Sequence, residues 1–185
     1  EVLRKNNIEI GWITGTSMGS IIGAMMAMEL EPETITRFAE KYAKLDLFSV
    51  GNFGFFDEGL IKRDEVSKVL YAAFGDKTFA DLKIPFACTA VDLESGDEVK
   101  FTEGSLINAV EASSSYPLIF PPLFLDDQYL VDGGILDSVP AMLAREIGAE
   151  NLVAIDIKNY QMRQELAGQV YLKHYKKQAQ TGALS

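Results

Sequence analysis

With 185 residues, of which 48% are apolar and 24% charged, the chain has the composition of one domain with a buried core, which excludes a disordered protein. Its 17 basic and 27 acidic residues give a formal net charge of −10, which argues against nucleic-acid binding and against strong attraction to anionic membranes. One cysteine, Cys88, and one histidine, His174, exclude an internal disulfide and a Cys/His zinc site.

In chain order, short apolar runs alternate with segments of helical periodicity. Residues 1–5 have the pattern of a helix end. Strands are predicted at 8–14, 85–91, 98–102, 129–131 and 152–157, with a hairpin turn at 94–97. Helices are predicted at 20–30, 32–42, 66–74, 106–113, 140–148 and 161–180. This alternation predicts an α/β fold, layered as α/β/α around a mostly parallel central sheet.

The sequence Gly15-Thr16-Ser17-Met18-Gly19 has the form G-x-S-x-G between a predicted strand and a predicted helix. A sharp turn of this kind holds its serine in a strained conformation and presents the hydroxyl at a helix N-terminus, where N–H groups favour negative charge. We therefore interpret Ser17 as a nucleophile and the N–H of Met18 as an oxyanion donor. The alternative is an inert serine in a glycine turn used for packing or phosphate binding.

A serine nucleophile needs a base, and here a carboxylate is favoured. His174 lies in a segment rich in lysine and tyrosine, which is typical of a solvent-facing helix surface. Asp132 follows a predicted strand and precedes Gly133 and Gly134, and such a turn can bring a side chain into a site by close backbone approach. A plain Asp-Gly turn is the alternative. Spacing alone also leaves open three acids in neighbouring loops: Asp126, Asp127 and Asp137.

Five ordered blocks make the chain resemble the patatin-like phospholipase family over about residues 7–157. The blocks are G-T-S-M-G at 15–19, D-E-G-L at 57–60, the strand and hairpin at 84–96, A-S-S-S-Y-P with F-P-P between 112 and 122, and V-D-G-G at 131–134. A small residue is usual in the family where Met18 stands. The resemblance implies a patatin-like fold.

The resemblance also implies a serine lipid acyl hydrolase of the phospholipase A or lysophospholipase type. Its Ser–Asp dyad would be Ser17 and Asp132, without histidine, metal or cofactor, and we expect a partly buried site that makes this aspartate a stronger base. The glycine-rich oxyanion loop of the family precedes the serine turn, so we expect residues 1–185 to be a single domain that lacks this N-terminal segment. The implied substrate and oxyanion positions are Gly15, Met18, Gly19, Gly133 and Gly134.

We expect a lipid or other fatty-acyl ester substrate, transient contact with a membrane surface, no nucleic-acid partner and a cytoplasmic location. The loop at 45–56 carries four phenylalanines and is interpreted as an acyl-chain entrance or lid, or alternatively as a loop packed on the core. The serines at 113–115 are interpreted as ending a helix. Two other functions stay open: a serine esterase or thioesterase on small soluble substrates, and a non-catalytic regulatory protein with the same fold.

Overall fold

The computed structural model describes residues 2–43, 57–117 and 120–157. The chain divides into two compact units, 1–154 and 155–185, and only 155–157 of the second unit is described. The predicted helix at 161–180, His174 and the loop at 45–56 therefore lie outside the described residues. Within the described ranges, no helix combines the length and apolar character needed to cross a bilayer.

Six helices and five strands form the described part of the chain. The helices are α1 Val2–Lys5, α2 Met18–Ala27, α3 Pro32–Ala43, α4 Asp57–Phe74, α5 Leu106–Ser113 and α6 Ala141–Glu146. The strands are β1 Ile13–Gly15, β2 Phe86–Asp92, β3 Glu98–Phe101, β4 Leu123–Leu125 and β5 Gln128–Asp132. Single turns of 3-10 helix occupy Phe79–Asp81 and Gly133–Ile135. The predicted helix at 106–113 is confirmed to the residue.

Two predicted strands are wrong in whole or in part. Pairing with β2 begins at Ile13, and the preceding residues 8–12 form no strand, with Ile8 52% exposed. Residues 152–157 also form no strand, and Val153 is 76% exposed. Apolar, β-branched residues favour strands, but a strand forms only where its backbone finds a partner. The short strand β4 was not predicted.

All seven residues of β2 are buried, and this strand organises the sheet. β3 runs antiparallel along one edge of β2, between residues 88 and 91. The opposite edge is shared, because parallel β1 pairs with residues 86–88 and antiparallel β5 pairs with residues 90–92. β4 then pairs with β5. The α/β class is confirmed, and the described sheet is mixed, with its parallel pair next to the serine turn.

The shared edge of β2 brings the ends of β1 and β5 together. Gly15 pairs with Cys88 at the end of β1, and Asp132 pairs with Ala90 at the end of β5. Thr89, fully buried, lies between these two pairs. The residues that follow β1 therefore lie close to the residue that ends β5 at this point of the sheet.

Helices α2 and α5 pack against this part of the sheet. At Gly23 of α2, an added Cβ would lie 3.0 Å from the Phe86 ring, so a glycine lets the helix approach the strand closely. α5 contacts β2, β5 and α2, and α6 contacts β1, where Thr14 Oγ1 donates to the carbonyl of Pro140 at 3.2 Å. The fully or almost fully buried core includes Ile21, Ala24, Met25, Leu70, Phe74, Leu106 and Val110.

The two glycines of the serine turn should respond differently to alanine. A Cβ at Gly15 would collide with the backbone carbonyl of Gly19, whereas a Cβ at Gly19 would meet no atom within 4 Å. We expect Gly15→Ala to lower the free energy of unfolding by about 1–3 kcal/mol. Gly19→Ala should leave it unchanged or raise it by up to about 1 kcal/mol, since alanine favours helix. Chemical denaturation of both variants measures this, and equal losses would contradict it.

Tyr42 is buried at the end of α3. Burial raises the pKa of Tyr42 to about 12, with a smaller contribution from Asp132 and Glu111 and an opposing one from its hydrogen bond with Ser114. The unfolded chain therefore loses this proton first, so stability is complete below about pH 10 and falls as pH rises toward about 12.

We expect the free energy of unfolding of Tyr42→Phe to fall less steeply than that of the wild type over this interval. Burial also raises the pKa of the Cys88 thiol, so the comparison of the two proteins isolates the contribution of Tyr42. Urea denaturation at several alkaline pH values measures the two slopes. Parallel slopes would be the contrary result.

Candidate active site

Ser17 occupies the turn between β1 and α2. Its backbone has φ 57° and ψ −128°, a left-handed conformation that costs a residue with a side chain about 1–3 kcal/mol. The strained serine expected from the sequence is therefore present. Ser17 is half-buried, so its hydroxyl lies at the edge of the protein interior.

Hydrogen bonds from both sides hold this turn. The N–H of Gly19 donates to the carbonyl of Thr16, and the N–H of Ser20 donates to the carbonyl of Ser17, both at 2.8 Å. The buried Ser20 hydroxyl donates to the same Ser17 carbonyl at 2.7 Å. On the other side, the N–H of Ser17 donates to the Oγ of Ser113 at 3.0 Å. These bonds offset the backbone strain, because they satisfy groups that the turn leaves outside regular structure.

Asp132 ends β5 and is 1% exposed. Its Oδ2 accepts a hydrogen bond from Ser17 Oγ at 2.5 Å, and its Oδ1 accepts one from the N–H of Gly134 at 2.7 Å. Its own N–H donates to the carbonyl of Ser115 at 2.9 Å. A buried carboxylate is unfavourable unless it is hydrogen-bonded, and here both oxygens accept bonds. The site was expected to be partly buried, and the structure buries Asp132 almost completely while Ser17 is half-buried.

The glycines after Asp132 serve two different purposes. A Cβ at Gly133 would lie 2.5 Å from the backbone oxygen and from the Oγ1 of Thr89, so this position excludes a side chain. The N–H of Gly134 is directed at the carboxylate of Asp132. Thr89 Oγ1 also shares a hydrogen bond of 3.2 Å with Thr16 Oγ1, which ties the serine turn to the central strand.

The N-terminus of α2 lies beside the Ser17 hydroxyl. Met18 is the first residue of this ten-residue helix, and no acceptor among the described residues binds its N–H. Such an N–H group, at the positive end of the helix dipole, stabilises negative charge that develops nearby. Gly15 and Gly19 enclose the turn, and Gly19 is exposed.

None of the other acids of these loops is hydrogen-bonded to Ser17. Asp126 and Asp127 form the exposed two-residue turn between β4 and β5, with left-handed φ of 50° and 60°. Asp137 accepts the N–H of Val139 at 3.0 Å within its own turn. Within the described ranges, no cluster of three or more His, Cys, Asp or Glu side chains could hold a metal ion.

Sequence reasoning missed the contacts that the end of α5 makes with both residues of the pair. Ser113 accepts the N–H of Ser17, and Ser115 accepts the N–H of Asp132 through its carbonyl. The signal was present as three consecutive serines before Pro117, but local patterns assign such serines to the helix end.

The chain matches the model of one protein family, described as patatin-like phospholipase, over residues 5–145. It is 26% identical over 162 residues to the neuropathy target esterase of Drosophila melanogaster, covering 85% of this chain and 11% of that protein. It is 28% identical to the human patatin-like phospholipase domain-containing protein 6, covering 85% of this chain and 12% of that protein. With a lysophospholipase of Debaryomyces hansenii it shares 27% identity, covering 84% of this chain and 10% of the relative.

The chain thus spans about a tenth of the length of these relatives. Among solved structures, VipD from Legionella pneumophila is similar in fold, with a TM-score of 0.55 and 11% sequence identity. That similarity covers 97% of this chain and 51% of VipD. The family match extends over most of the 185 residues and includes both Ser17 and Asp132, and the chain belongs to the patatin-like phospholipase family.

Proposed function

We propose that this protein is a serine hydrolase that cleaves the carboxylic esters of fatty acids in lipids, with Ser17 as the nucleophile and Asp132 as the general base. The observation that carries the proposal is the 2.5 Å hydrogen bond from Ser17 Oγ to Asp132 Oδ2. A nucleophile and its base must lie within hydrogen-bonding distance for proton transfer to accompany attack. The names of the relatives, which include an esterase and a lysophospholipase, support the same chemistry.

In the first half of the reaction, Ser17 Oγ attacks the ester carbonyl carbon as its proton passes to Asp132. The carbonyl oxygen becomes an oxyanion, for which the N–H of Met18 is the donor on this chain. The tetrahedral intermediate then collapses: the bond to the leaving oxygen breaks, that oxygen takes the proton from Asp132, and an alcohol or lysolipid departs. The fatty acyl group stays on Ser17 as an ester.

In the second half, water attacks the acyl-serine and transfers a proton to Asp132. Collapse of the second intermediate releases the fatty acid and returns the proton to Ser17 Oγ. Gly134 holds the carboxylate throughout, because its N–H binds the oxygen that does not contact Ser17. Each proton thus moves through Oδ2, which faces the nucleophile.

Exposed apolar side chains beside the pair favour a lipid over a small soluble ester. Ile135 ends the 3-10 turn that begins after Asp132, Leu136 follows it, and the two are 50% and 56% exposed. Tyr116 is also exposed, next to the Ser115 carbonyl that holds Asp132. Exposed apolar residues clustered near a reactive group are typical of a surface that receives acyl chains or a lipid interface. We therefore include transient contact with a lipid surface in the proposal.

Replacing the nucleophile gives the first test. Ser17→Ala should reduce hydrolysis of phospholipid and lysophospholipid to the background rate, because no oxygen remains to form the acyl intermediate. Release of fatty acid by the full-length protein measures this. Ser95→Ala, which changes an exposed serine of the hairpin turn, is the matched control and should retain activity.

Hydrolysis by Ser17→Ala at the wild-type rate would rule out the proposed role of this serine. A protein that hydrolyses neither lipid nor ester before any substitution would instead favour the non-catalytic alternative. Comparison of esters with acyl chains of four to sixteen carbons separates lipids from small substrates. A preference for the shortest chains would support an esterase on soluble substrates.

The base has a test of its own. Asp132→Asn keeps the shape of the side chain but removes the proton acceptor, so kcat should fall by about 10²–10⁴-fold. Because Asp132 must be unprotonated to accept a proton, wild-type activity should fall as pH falls, and the residual activity of Asp132→Asn should lack this decline. A pH–rate profile of both proteins measures the difference.

Asp127→Asn is the control for the loss of one carboxylate. Asn tolerates the left-handed φ of 60° at this hairpin position, so this variant should keep both its stability and its activity. An acidic decline of equal size in wild type and Asp132→Asn would mean that another group acts as the base.

A further inference from the structure

The three consecutive serines at the end of α5 have different hydrogen-bond partners. The hydroxyls of Ser114 and Ser115 donate to carbonyls of their own helix, those of Val110 and Glu111, each at 2.8 Å. These two serines end the helix as the sequence predicts. Ser113 is fully buried, and its Oγ instead accepts the N–H of Ser17, a residue 96 positions away in the chain.

This contact acts on the strained residue of the turn. The N–H of Ser17 lies on the peptide whose orientation sets the φ angle of 57° at Ser17. If that N–H lost its acceptor inside the protein, the unpaired group would be unfavourable by about 1–3 kcal/mol, comparable to the strain itself. The turn could then relax by rotating the Ser17 peptide, which would move Oγ away from Asp132.

The same helix end also holds Asp132. The carbonyl of Ser115 accepts the N–H of Asp132 at 2.9 Å, two residues from the contact that Ser113 makes with Ser17. α5 is anchored in the core through Leu106, Ala109 and Val110, all almost completely buried. One buried helix end is therefore hydrogen-bonded to both halves of the Ser17–Asp132 pair.

We propose that Ser113 is a positioning residue for the reaction: its buried hydroxyl accepts the Ser17 N–H and thereby holds the nucleophile within hydrogen-bonding distance of Asp132. The inference rests on the proposed hydrolase function. Ser113 acts through Ser17 and does not contact the substrate. A displacement of about 1 Å at a reacting group can lower the rate by about 10²-fold, so loss of this contact should be visible in the chemical step.

The test compares Ser113→Ala with Ser114→Ala, which removes the neighbouring hydroxyl from the same helix end. For each variant of the full-length protein we would measure kcat and KM, the rate of covalent labelling of Ser17 by a fluorophosphonate, and the melting temperature. We expect Ser113→Ala to lower kcat and the labelling rate by about 10–100-fold with little change in KM. Ser114→Ala should lose comparable stability while keeping kcat near the wild-type value.

Rescue separates positioning from packing. Ser113→Thr keeps a hydroxyl at the same place and should restore most of kcat and of the labelling rate. If threonine does not fit the buried site, Ser113→Cys, which keeps a weaker acceptor, should fall between wild type and Ser113→Ala.

Equal kcat values for Ser113→Ala and Ser114→Ala would overturn the inference, as would a Ser113→Ala variant that changes KM alone. Ser17→Ala is measured in parallel, so that the two proposals can fail separately. Equal hydrolysis by wild type and Ser17→Ala would defeat the hydrolase proposal itself. An inactive Ser17→Ala beside a fully active Ser113→Ala would defeat only the role of Ser113.

Discussion

β2 has two edges, and since β3 occupies one of them, β1 and β5 must share the other. β1 runs parallel to β2 and β5 antiparallel, so their C-terminal ends approach each other at Thr89. A side chain placed just after β1 then meets one placed at the end of β5. The hydrogen bond between Ser17 and Asp132 is a consequence of this pairing, because no local segment contains both residues.

The close approach of the two strand ends leaves little room at the junction. The backbone carbonyl of Gly19 fills the space beside Gly15, and Thr89 fills the space beside Gly133, so both positions require glycine. The threonine hydroxyl of Thr89 bonds to Thr16, which connects the serine turn to the strand beneath it. Tight packing and hydrogen bonding thus keep Ser17 in a conformation that it would not adopt in a free peptide.

Besides β1 and β5, helix α5 helps to position Ser17 and Asp132. Its last residue, Ser113, offers a side-chain oxygen to the N–H of Ser17, and Ser115, two residues beyond it, offers a backbone oxygen to the N–H of Asp132. A strained nucleophile and a buried carboxylate are each unfavourable alone, and hydrogen bonds from rigid elements offset both. A site held this way can meet the developing charge of a reaction without reorganising first.

Local chemistry made several features predictable from the sequence alone. The glycines around Ser17, the Asp-Gly turn at Asp132 and the periodicity of residues 106–113 depend on neighbours within a few positions. The apolar runs at 8–12 and 152–157 were wrongly predicted to be strands, because a strand needs a pairing partner that a local pattern does not contain. The spacing of the residues left several carboxylates open and the family resemblance implied Asp132, which the tertiary structure places against Ser17 across 115 residues. Tertiary structure alone decided which of three serines holds the backbone of Ser17, across 96 residues. Those pairings follow from sheet register and helix packing, which join residues that are distant in the chain.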